Sequence, residues 1–171
     1  MADGLPSERF EPEVHDASEF TCGVNVMDAW LRDNAADAAR RRTSTTWVWA
    51  DDSRVVAYYS LSGHKVARGE VPRDIGRGGP QEIPAVLIGK LALDQSRQGQ
   101  GLGGLLLADA LTRFLAATQI VAARLVVVDA LDDDVARYYE HYGFDRVPGS
   151  LRLVRRVSSI EADFGGTLPG L

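Results

Sequence analysis

The stretch that decides the fold of this 171-residue chain reads Leu91-Ala92-Leu93-Asp94-Gln95-Ser96-Arg97-Gln98-Gly99-Gln100-Gly101-Leu102-Gly103-Gly104-Leu105-Leu106. Its start lies in a mostly apolar run, 85–93, which predicts a buried strand, and residues 101–117 predict a helix with one apolar face. The glycines between them let the backbone approach a ligand, and the first N–H groups of the helix lack internal partners. The segment therefore predicts a binding site for phosphate or pyrophosphate.

Two familiar phosphate motifs can be tested against this turn. A P-loop is excluded because Gly104 is followed by Leu105 instead of a Lys-Ser/Thr pair. The pattern Gly99-x-Gly101-x-x-Gly104 matches the dinucleotide fingerprint, and Asp129 follows on the next predicted strand. This match is incomplete, because five polar residues, 94–98, separate the strand from the first glycine. A truncated nicotinamide-dinucleotide domain stays open as an alternative.

The rest of the chain predicts one α/β domain, or α+β in a broader sense, over residues 1–157. The polar, glycine-containing end, 158–171, is expected to be a flexible tail. The other elements expected along the chain are an amphipathic helix at 24–39, a β-hairpin of 47–50 and 55–62, a mobile loop at 69–84, a buried strand at 124–128 and a helix at 132–142.

The composition excludes several classes of protein. Nineteen Lys and Arg against 24 Asp and Glu give a net charge of −5, which argues against non-specific coating of nucleic acid. The lone cysteine, Cys22, cannot form an intramolecular disulfide, and no apolar run approaches the ~20 residues of a membrane span. We therefore expect a cytoplasmic protein with no membrane segment and no metal site. Its basic residues are mostly arginine and cluster at 40–42 and at 68–77.

Counted from Gln98, the same turn spells Gln98-x-x-Gly101-x-Gly103, which resembles the pyrophosphate motif of the GNAT acetyltransferases. Within that family the chain resembles the GNAT toxins of type II toxin–antitoxin modules. The blocks that carry this likeness span about Asp16 to Val157 and are Phe20–Leu31, Tyr58–Leu61, Ile88–Asp94, Val128–Ala130 and Ala136–Phe144. Tyr138 departs from the family pattern, in which Phe usually precedes the functional Tyr.

The resemblance implies a GNAT fold, which is a mixed central sheet of about six to seven strands flanked by helices on both faces. It also implies acetyl-CoA as co-substrate, with no metal. The residues implied to bind acetyl-CoA are Leu91, Ala92, Leu93, Arg97, Gln98, Gly99, Gln100, Gly101, Leu102, Gly103, Gly104 and Asp129. Tyr139 is implied to be the catalytic acid that protonates the departing thiolate. A phenol with a pKa near 10 stays protonated at pH 7 and can donate, which suits this role.

The toxin likeness implies acetylation of the α-amino group of aminoacyl-tRNA, which blocks translation. An α-amine has a pKa of roughly 7.7–8.0, so a neutral fraction exists at pH 7 without a strong base. His15, His64 and His141 are candidate bases, and none is assigned. The arginines that could contact tRNA, or that only cap a helix and meet solvent, are Arg40, Arg41, Arg42, Arg73 and Arg77.

The likeness also implies two protein partners, a second copy of the chain in a homodimer and a ribbon-helix-helix antitoxin. Two other functions stay open at this point. One is a GNAT enzyme that acetylates a small-molecule amine or a protein N-terminus, and the other is a non-catalytic CoA-binding module.

Overall fold

The computed structural model describes residues 6–164, which form seven strands and six α-helices. Short 3₁₀ turns lie at Arg68–Glu70 and Gln95–Arg97. The strands are β1 (Glu8–Arg9), β2 (Thr45–Asp51), β3 (Arg54–Ala67), β4 (Glu82–Leu93), β5 (Leu125–Asp129), β6 (Asp145–Arg146) and β7 (Arg152–Arg156). The helices are α1 (Asn25–Asp33), α2 (Ala35–Arg40), α3 (Arg73–Gly76), α4 (Leu102–Thr118), α5 (Asp133–His141) and α6 (Val157–Asp163).

The strands make one mixed sheet in the order β1-β2-β3-β4-β5-β7-β6. Strands β4 and β5 pair in parallel, from Ala85 opposite Leu125 to Ile88 opposite Val128. The hairpin β2–β3 and the pair β5–β7 are antiparallel. The α/β class and the expected number of strands are therefore confirmed. The antiparallel hairpin also removes the dinucleotide-domain alternative, because that fold is built from parallel βαβ units.

The described chain divides into two compact units, each with its own apolar core. The first unit comprises residues 6–62 and 89–113, and its core includes Phe20, Leu31 and Tyr58. The second comprises residues 63–88 and 114–164, and its core includes Ile83, Leu125 and Val154. The strands β3 and β4 and the helix α4 each contribute residues to both units.

A buried polar network in the first unit fixes α4. The carboxylate of Asp109, a residue 4% exposed, accepts hydrogen bonds from Ser7 Oγ at 2.7 Å, Tyr59 Oη at 2.6 Å and Trp49 Nε1 at 2.9 Å. Arg113, one turn further along α4, donates from Nε to Tyr59 Oη at 2.9 Å. Since buried polar groups need partners, this network favours one placement of α4 within its unit.

The expected helix at 24–39 is two helices, because Asn34 interrupts it with φ −122°. The expected mobile loop at 69–84 is also more ordered than its glycines and prolines indicate. Val71 and Ile75 pack into the core of the second unit, and a turn of helix, α3, forms around Ile75. Two apolar side chains thus anchor a segment that looked like a loop.

The expectation of a flexible tail at 158–171 is wrong for its first residues. Residues 157–163 form α6, in which Ile160 is fully buried and Asp163 pairs with Arg155. The tail's remaining residues, 165–171, lie outside the described part of the chain. Among residues 6–164, no helix is both long and apolar enough to cross a membrane.

Candidate active site

The glycine turn connects the end of β4 to the start of α4, as the sequence predicts. Gly99 and Gly101 both have φ +75°, a conformation that glycine adopts without strain. A Cβ built on either residue would meet no atom within 4 Å, so the space over the turn is open. The first N–H groups of α4 have no partner inside the helix and carry partial positive charge. The turn therefore fits the diphosphate of acetyl-CoA.

Asp94 anchors the start of this turn. Its side chain is almost fully buried and accepts hydrogen bonds from Ser96 N at 3.0 Å, Ser96 Oγ at 2.6 Å and Thr21 N at 2.9 Å. Burial alone raises the pKa of the Asp94 carboxyl, but these hydrogen bonds and nearby Arg54 outweigh it and hold the pKa below its ordinary value. Asp94 is thus a charged group whose buried carboxylate holds the start of the turn in place.

The sequence reasoning missed this role of Asp94. The available signal is the local pattern Asp94-Gln95-Ser96 directly after a strand, because an aspartate often accepts from the backbone two residues on. The partner Thr21 lies 73 residues away, and no local pattern indicates it.

The side chains of Gln98 and Arg97 bind to other residues of the protein, Gln98 by hydrogen bonds and Arg97 by an ion pair. The Gln98 amide donates from Nε2 to Cys22 O at 2.8 Å and to Leu93 O at 2.9 Å. The Arg97 guanidinium lies 2.5 Å from the Asp51 carboxylate. Both residues lie at the turn where the sequence predicts them, but the Gln98 side chain anchors the turn and leaves its backbone for a ligand.

The segment around Cys22 supplies backbone partners that hold the glycine turn in place. Thr21 O accepts from Gln95 N at 2.8 Å, and Asp28 accepts from Cys22 N at 2.8 Å. Gly23 has φ +94°, and a Cβ there would lie 3.2 Å from Gln95 Nε2. Burial, followed by the Asp28 carboxylate, raises the pKa of the Cys22 thiol to about 11. At neutral pH Cys22 is therefore a protonated structural residue and not a nucleophile.

Tyr139 lies on α5 in the second unit and is 7% exposed. Its ring packs edge-on against Phe144 and Tyr138, each with a centroid distance of 5.4 Å. Burial, with a smaller effect of Tyr138, raises the pKa of the Tyr139 phenol well above its ordinary value. The hydroxyl makes no hydrogen bond to another residue within 6–164. A protonated O–H without a protein acceptor is able to donate to a ligand.

Tyr138 and Tyr142 lie together, as expected for residues four apart on a helix, with ring centroids 5.0 Å apart. The Tyr138 hydroxyl is buried and has no hydrogen-bond partner among the described residues. Burial, followed by Tyr142, raises its pKa to about 12. Tyr138 is thus a packing residue, and its hydroxyl gains no partner in exchange for the water it loses.

Asp129 is held by a protein partner. Arg152, opposite it on β7, donates from Nε to Oδ1 at 2.7 Å and from Nη2 to Oδ2 at 2.9 Å. These hydrogen bonds are the main reason that the pKa of the Asp129 carboxyl is lowered, and His64 has a smaller effect in the same direction. The expected contact of Asp129 with acetyl-CoA stays a prediction.

The arginine clusters differ in how far they are neutralised. Arg40 and Arg41 each lie 2.8 Å from the Asp37 carboxylate, at the end of α2. Within residues 6–164, the guanidinium groups of Arg42, Arg73 and Arg77 have neither an acidic nor a hydrogen-bonding partner. Arg73 and Arg77 line a cavity of about 410 Å³ in the second unit together with Arg68. These unpaired cations are available to an anionic ligand.

No histidine is assigned as the base. His15 is buried, accepts from Glu11 N at 3.0 Å through Nδ1, and lies 3.3 Å from Glu8 through Nε2, so it is a structural residue. His141 ends α5 with its ring against Tyr142. Within the described part of the chain, no group of three His, Cys, Asp or Glu side chains is arranged to hold a metal ion.

Known proteins resemble this chain along most of its length. A curated relative from Mycobacterium tuberculosis, named tRNA-acetylating toxin, is 32% identical over 145 residues, which are 85% of this chain and 87% of that protein. The structure of AtaT complexed with acetyl-methionyl-tRNAfMet superposes with a TM-score of 0.84 at 26% identity, and covers 94% of this chain and 99% of that one.

A third match is a Tyr-to-Phe mutant of AtaT bound to the C-terminus of the antitoxin AtaR and acetyl-CoA. It has a TM-score of 0.78 at 26% identity, and covers 95% of this chain and 99% of that one. The family model described as an acetyltransferase (GNAT) domain matches residues 42–146, which include both the glycine turn and Tyr139. Because that match spans more than half of the sequence, the chain belongs to the GNAT family and is an acetyl-CoA-dependent N-acetyltransferase.

Proposed function

We propose that this enzyme acetylates the α-amino group of aminoacyl-tRNA and thereby blocks translation as the toxin of a toxin–antitoxin pair. The observation that carries the proposal is the 32% identity, over 85% of the chain, to a protein named tRNA-acetylating toxin. Arg42, Arg73 and Arg77, which have no ionic partner among residues 6–164, support it, because an acidic protein needs local positive charge to bind a polyanion.

The first unit supplies the binding of acetyl-CoA in this proposal. The turn from Arg97 to Gly104 holds the diphosphate, and the backbone groups of Leu91 to Leu93 pair with the pantetheine arm and polarise the thioester carbonyl. Asp129 stays a predicted binding residue for acetyl-CoA. Acetyl-CoA provides an activated acyl group, so the protein needs neither a covalent intermediate nor a metal.

The chemical role of the chain is to stabilise the charge that develops while the acetyl group passes directly from sulfur to the amine. The substrate amine forms a C–N bond to the acetyl carbon, the C–S bond breaks, and the amine loses one proton while the thiolate gains one. Tyr139 donates the proton that the thiolate gains. Burial raises the pKa of the Tyr139 phenol, so Tyr139 carries its proton at neutral pH and can donate a hydrogen bond, and then the proton, to the sulfur as negative charge develops there.

The substrate amine explains why no strong base is required. An α-amine has a pKa of roughly 7.7–8.0, whereas a lysine side chain titrates near 10.4, so only the former is substantially neutral at pH 7. Water can then accept the proton that the amine loses, and a proton from water restores Tyr139. His64 and His141 stay unassigned, and His15 is already bonded on both ring nitrogens.

Arginines on the surface bind the tRNA backbone in this proposal. Arg42, Arg73 and Arg77 have no acidic partner in the described part of the chain, whereas Arg40 and Arg41 both form an ion pair with Asp37. Phosphate contacts of this kind fix the position of the nucleic acid without reading its sequence.

The proposal includes two protein partners and a compartment. We propose a homodimer, neutralisation by a ribbon-helix-helix antitoxin, and action in the cytoplasm, where charged tRNA is found. The AtaT complex with the C-terminus of AtaR supports the antitoxin. A short ribbon-helix-helix protein encoded beside the gene would be its first candidate.

A labelling experiment tests the substrate. The protein is incubated with radiolabelled acetyl-CoA and bulk charged tRNA, and the tRNA is then separated and deacylated. We expect label on the released amino acids and none on uncharged tRNA. Label on polyamines or on N-terminal peptides, with none in the tRNA fraction, would instead establish the alternative of a small-amine or protein N-terminal acetyltransferase. Absence of label on every one of these acceptors would contradict the proposed substrate and point to another amine.

A further inference from the structure

The helix that carries Tyr139 ends in a left-handed turn that is bonded directly to Tyr139. Gly143 has φ +86°, and the Tyr139 carbonyl accepts from Tyr142 N at 3.0 Å and from Phe144 N at 3.1 Å. The ring of Phe144 then packs on the ring of Tyr139. Any displacement of this turn therefore moves both the backbone and the ring contact of Tyr139.

Arg155 of β7 covers the turn. Its guanidinium lies so close to Gly143 that a Cβ there would be 3.2 Å from Cζ and from Nε. Arg155 is 5% exposed, and its Nε has no partner within the described chain. A charge buried to this extent needs an opposite charge to hold it, or it swings toward water.

That opposite charge comes from α6. Asp163, at the last turn of α6, forms the ion pair with Arg155 Nη2, while its own side chain is 62% exposed. The helix is itself docked, since Ile160 is fully buried and Val157 N donates to Arg124 O at 3.0 Å. Contacts thus run without a break from α6 through Arg155 and Gly143 to Tyr139, all inside the second unit.

From this chain of contacts we infer that Arg155, held by Asp163, is a positioning residue that aligns the Tyr139 hydroxyl for proton transfer. The inference rests on Tyr139 being the acid, and it holds whichever amine is acetylated. It gives α6, which the sequence presents as a tail, a part in the reaction rather than in stability alone.

The test compares Asp163→Asn with Asp163→Glu and with the control Asp134→Asn, which breaks an exposed ion pair to Arg137 on α5. Single-turnover rates are measured with radiolabelled acetyl-CoA and charged tRNA, or with an N-terminal peptide if labelling assigns that acceptor. We expect Asp163→Asn to lower the rate about tenfold with an unchanged KM for acetyl-CoA, because misplacement of a reacting group slows chemistry more than binding. Asp163→Glu should restore most of the rate, and Asp134→Asn should leave it unchanged.

A double-mutant cycle with Tyr139→Phe separates positioning from general damage. If Arg155 and Asp163 act through the Tyr139 hydroxyl, Asp163→Asn should slow the Tyr139→Phe enzyme no further. Equal slowing in both backgrounds, a raised KM at constant rate, or a wild-type rate for Asp163→Asn would overturn the inference while leaving the proposed function intact. A Tyr139→Phe enzyme with wild-type rate would overturn the inference and the assignment of Tyr139 as the acid. Thermal melting of each variant shows whether a lost rate reflects unfolding.

Discussion

Tyr138 and Tyr139 are adjacent residues of the same type that the fold places in different environments. Both phenols are buried enough for their pKa to be raised. The hydroxyl of Tyr138 is buried and has no partner among residues 6–164, whereas the ring of Tyr139 packs on Phe144 next to the turn at Gly143. Burial keeps both phenols protonated, so the choice of Tyr139 as the proposed acid rests on its alignment with the catalytic tyrosine of the family.

The two tyrosines make a matched pair of variants. Tyr139→Phe should lower the acetylation rate by about 10²–10⁴-fold, which is the usual contribution of a general acid. Tyr138→Phe should keep the rate and raise the free energy of unfolding by about 1 kcal/mol, because it removes a buried hydroxyl that has no partner. Single-turnover labelling and urea denaturation measure the two effects. The reverse ranking of the two rates would assign the acid to Tyr138.

Asp94 gives a prediction about pH. Its folded pKa lies below the unfolded value of about 3.9, so its stabilisation is complete above that value and is lost as the pH falls toward the folded pKa. Asp94→Asn should therefore cost about 1–2 kcal/mol of unfolding free energy at pH 7 and distinctly less at pH 3. Asp52→Asn, at the exposed hairpin turn with φ +54°, is the control. An Asp94→Asn penalty that is equal at both pH values would contradict the role assigned to its charge.

The glycine turn sets a prediction at the scale of the element. Gly101→Ala introduces a side chain at φ +75° on the open face, which should cost about 1 kcal/mol of stability and weaken acetyl-CoA binding about tenfold. Gly149→Ala is a matched control, since Gly149 has φ +71°, equally open surroundings and a position in the loop before β7. Calorimetric titration with acetyl-CoA compares them. Equal affinities of the two variants for acetyl-CoA would show that the diphosphate does not bind at this turn.

The segments that carry Arg42, Arg73 and Arg77 give a second prediction at the scale of the element. Replacing Arg42, or Arg73 and Arg77 together, by Gln should raise the KM for charged tRNA and flatten its dependence on salt, with the KM for acetyl-CoA unchanged. Arg137→Gln, which removes an exposed arginine already paired with Asp134, should change neither. If the salt dependence is steep and no cluster alters it, the tRNA is bound by other residues.

The elements with strong periodicity were predictable, and those fixed by distant contacts were not. The hairpin, β4, β5, α4 and α5 appear within a few residues of the predicted bounds, because each has its own apolar pattern or cap, such as Asp132 accepting from Val135 N. The loop before β4 was misjudged because Ile75 gains its burial only from the tertiary fold. The end of the chain was misjudged for a similar reason, since the ion pair between Arg155 and Asp163 that stabilises α6 forms only in the folded protein.

In the candidate site, too, the parts with a local sequence signal were predictable and the parts fixed by distant contacts were not. The glycine turn and Tyr139 were found from motif and resemblance, whereas the side chains that hold them were not. Asp94 meets Thr21 across 73 residues, and Gln98 meets Cys22 across 76, and such contacts leave no local signature. A binding motif is visible in sequence because its ligand dictates it, while the anchors behind it depend on the whole fold.

At the scale of the whole molecule, Asp109 joins distant parts of the first unit. It accepts from Ser7, Trp49 and Tyr59, residues up to 102 positions away. Asp109→Ala leaves these buried donors without their acceptor and should lower the free energy of unfolding by about 3–5 kcal/mol. Asp37→Ala, at an exposed carboxylate, should cost less than about 1 kcal/mol. Urea denaturation of both variants decides whether the network is as stabilising as its burial implies.

The bonds from Thr21 and Cys22 to the glycine turn bear on how small a working fragment of this protein can be. The family match begins at residue 42, so a fragment cut to those bounds would discard both acceptors of the turn, and it would also lack α6. Such a fragment would retain the glycine turn and Tyr139 but lose the residues that hold them in place. Homology borders therefore underestimate the functional unit, and any expression or complementation study should retain residues 6–164 in full.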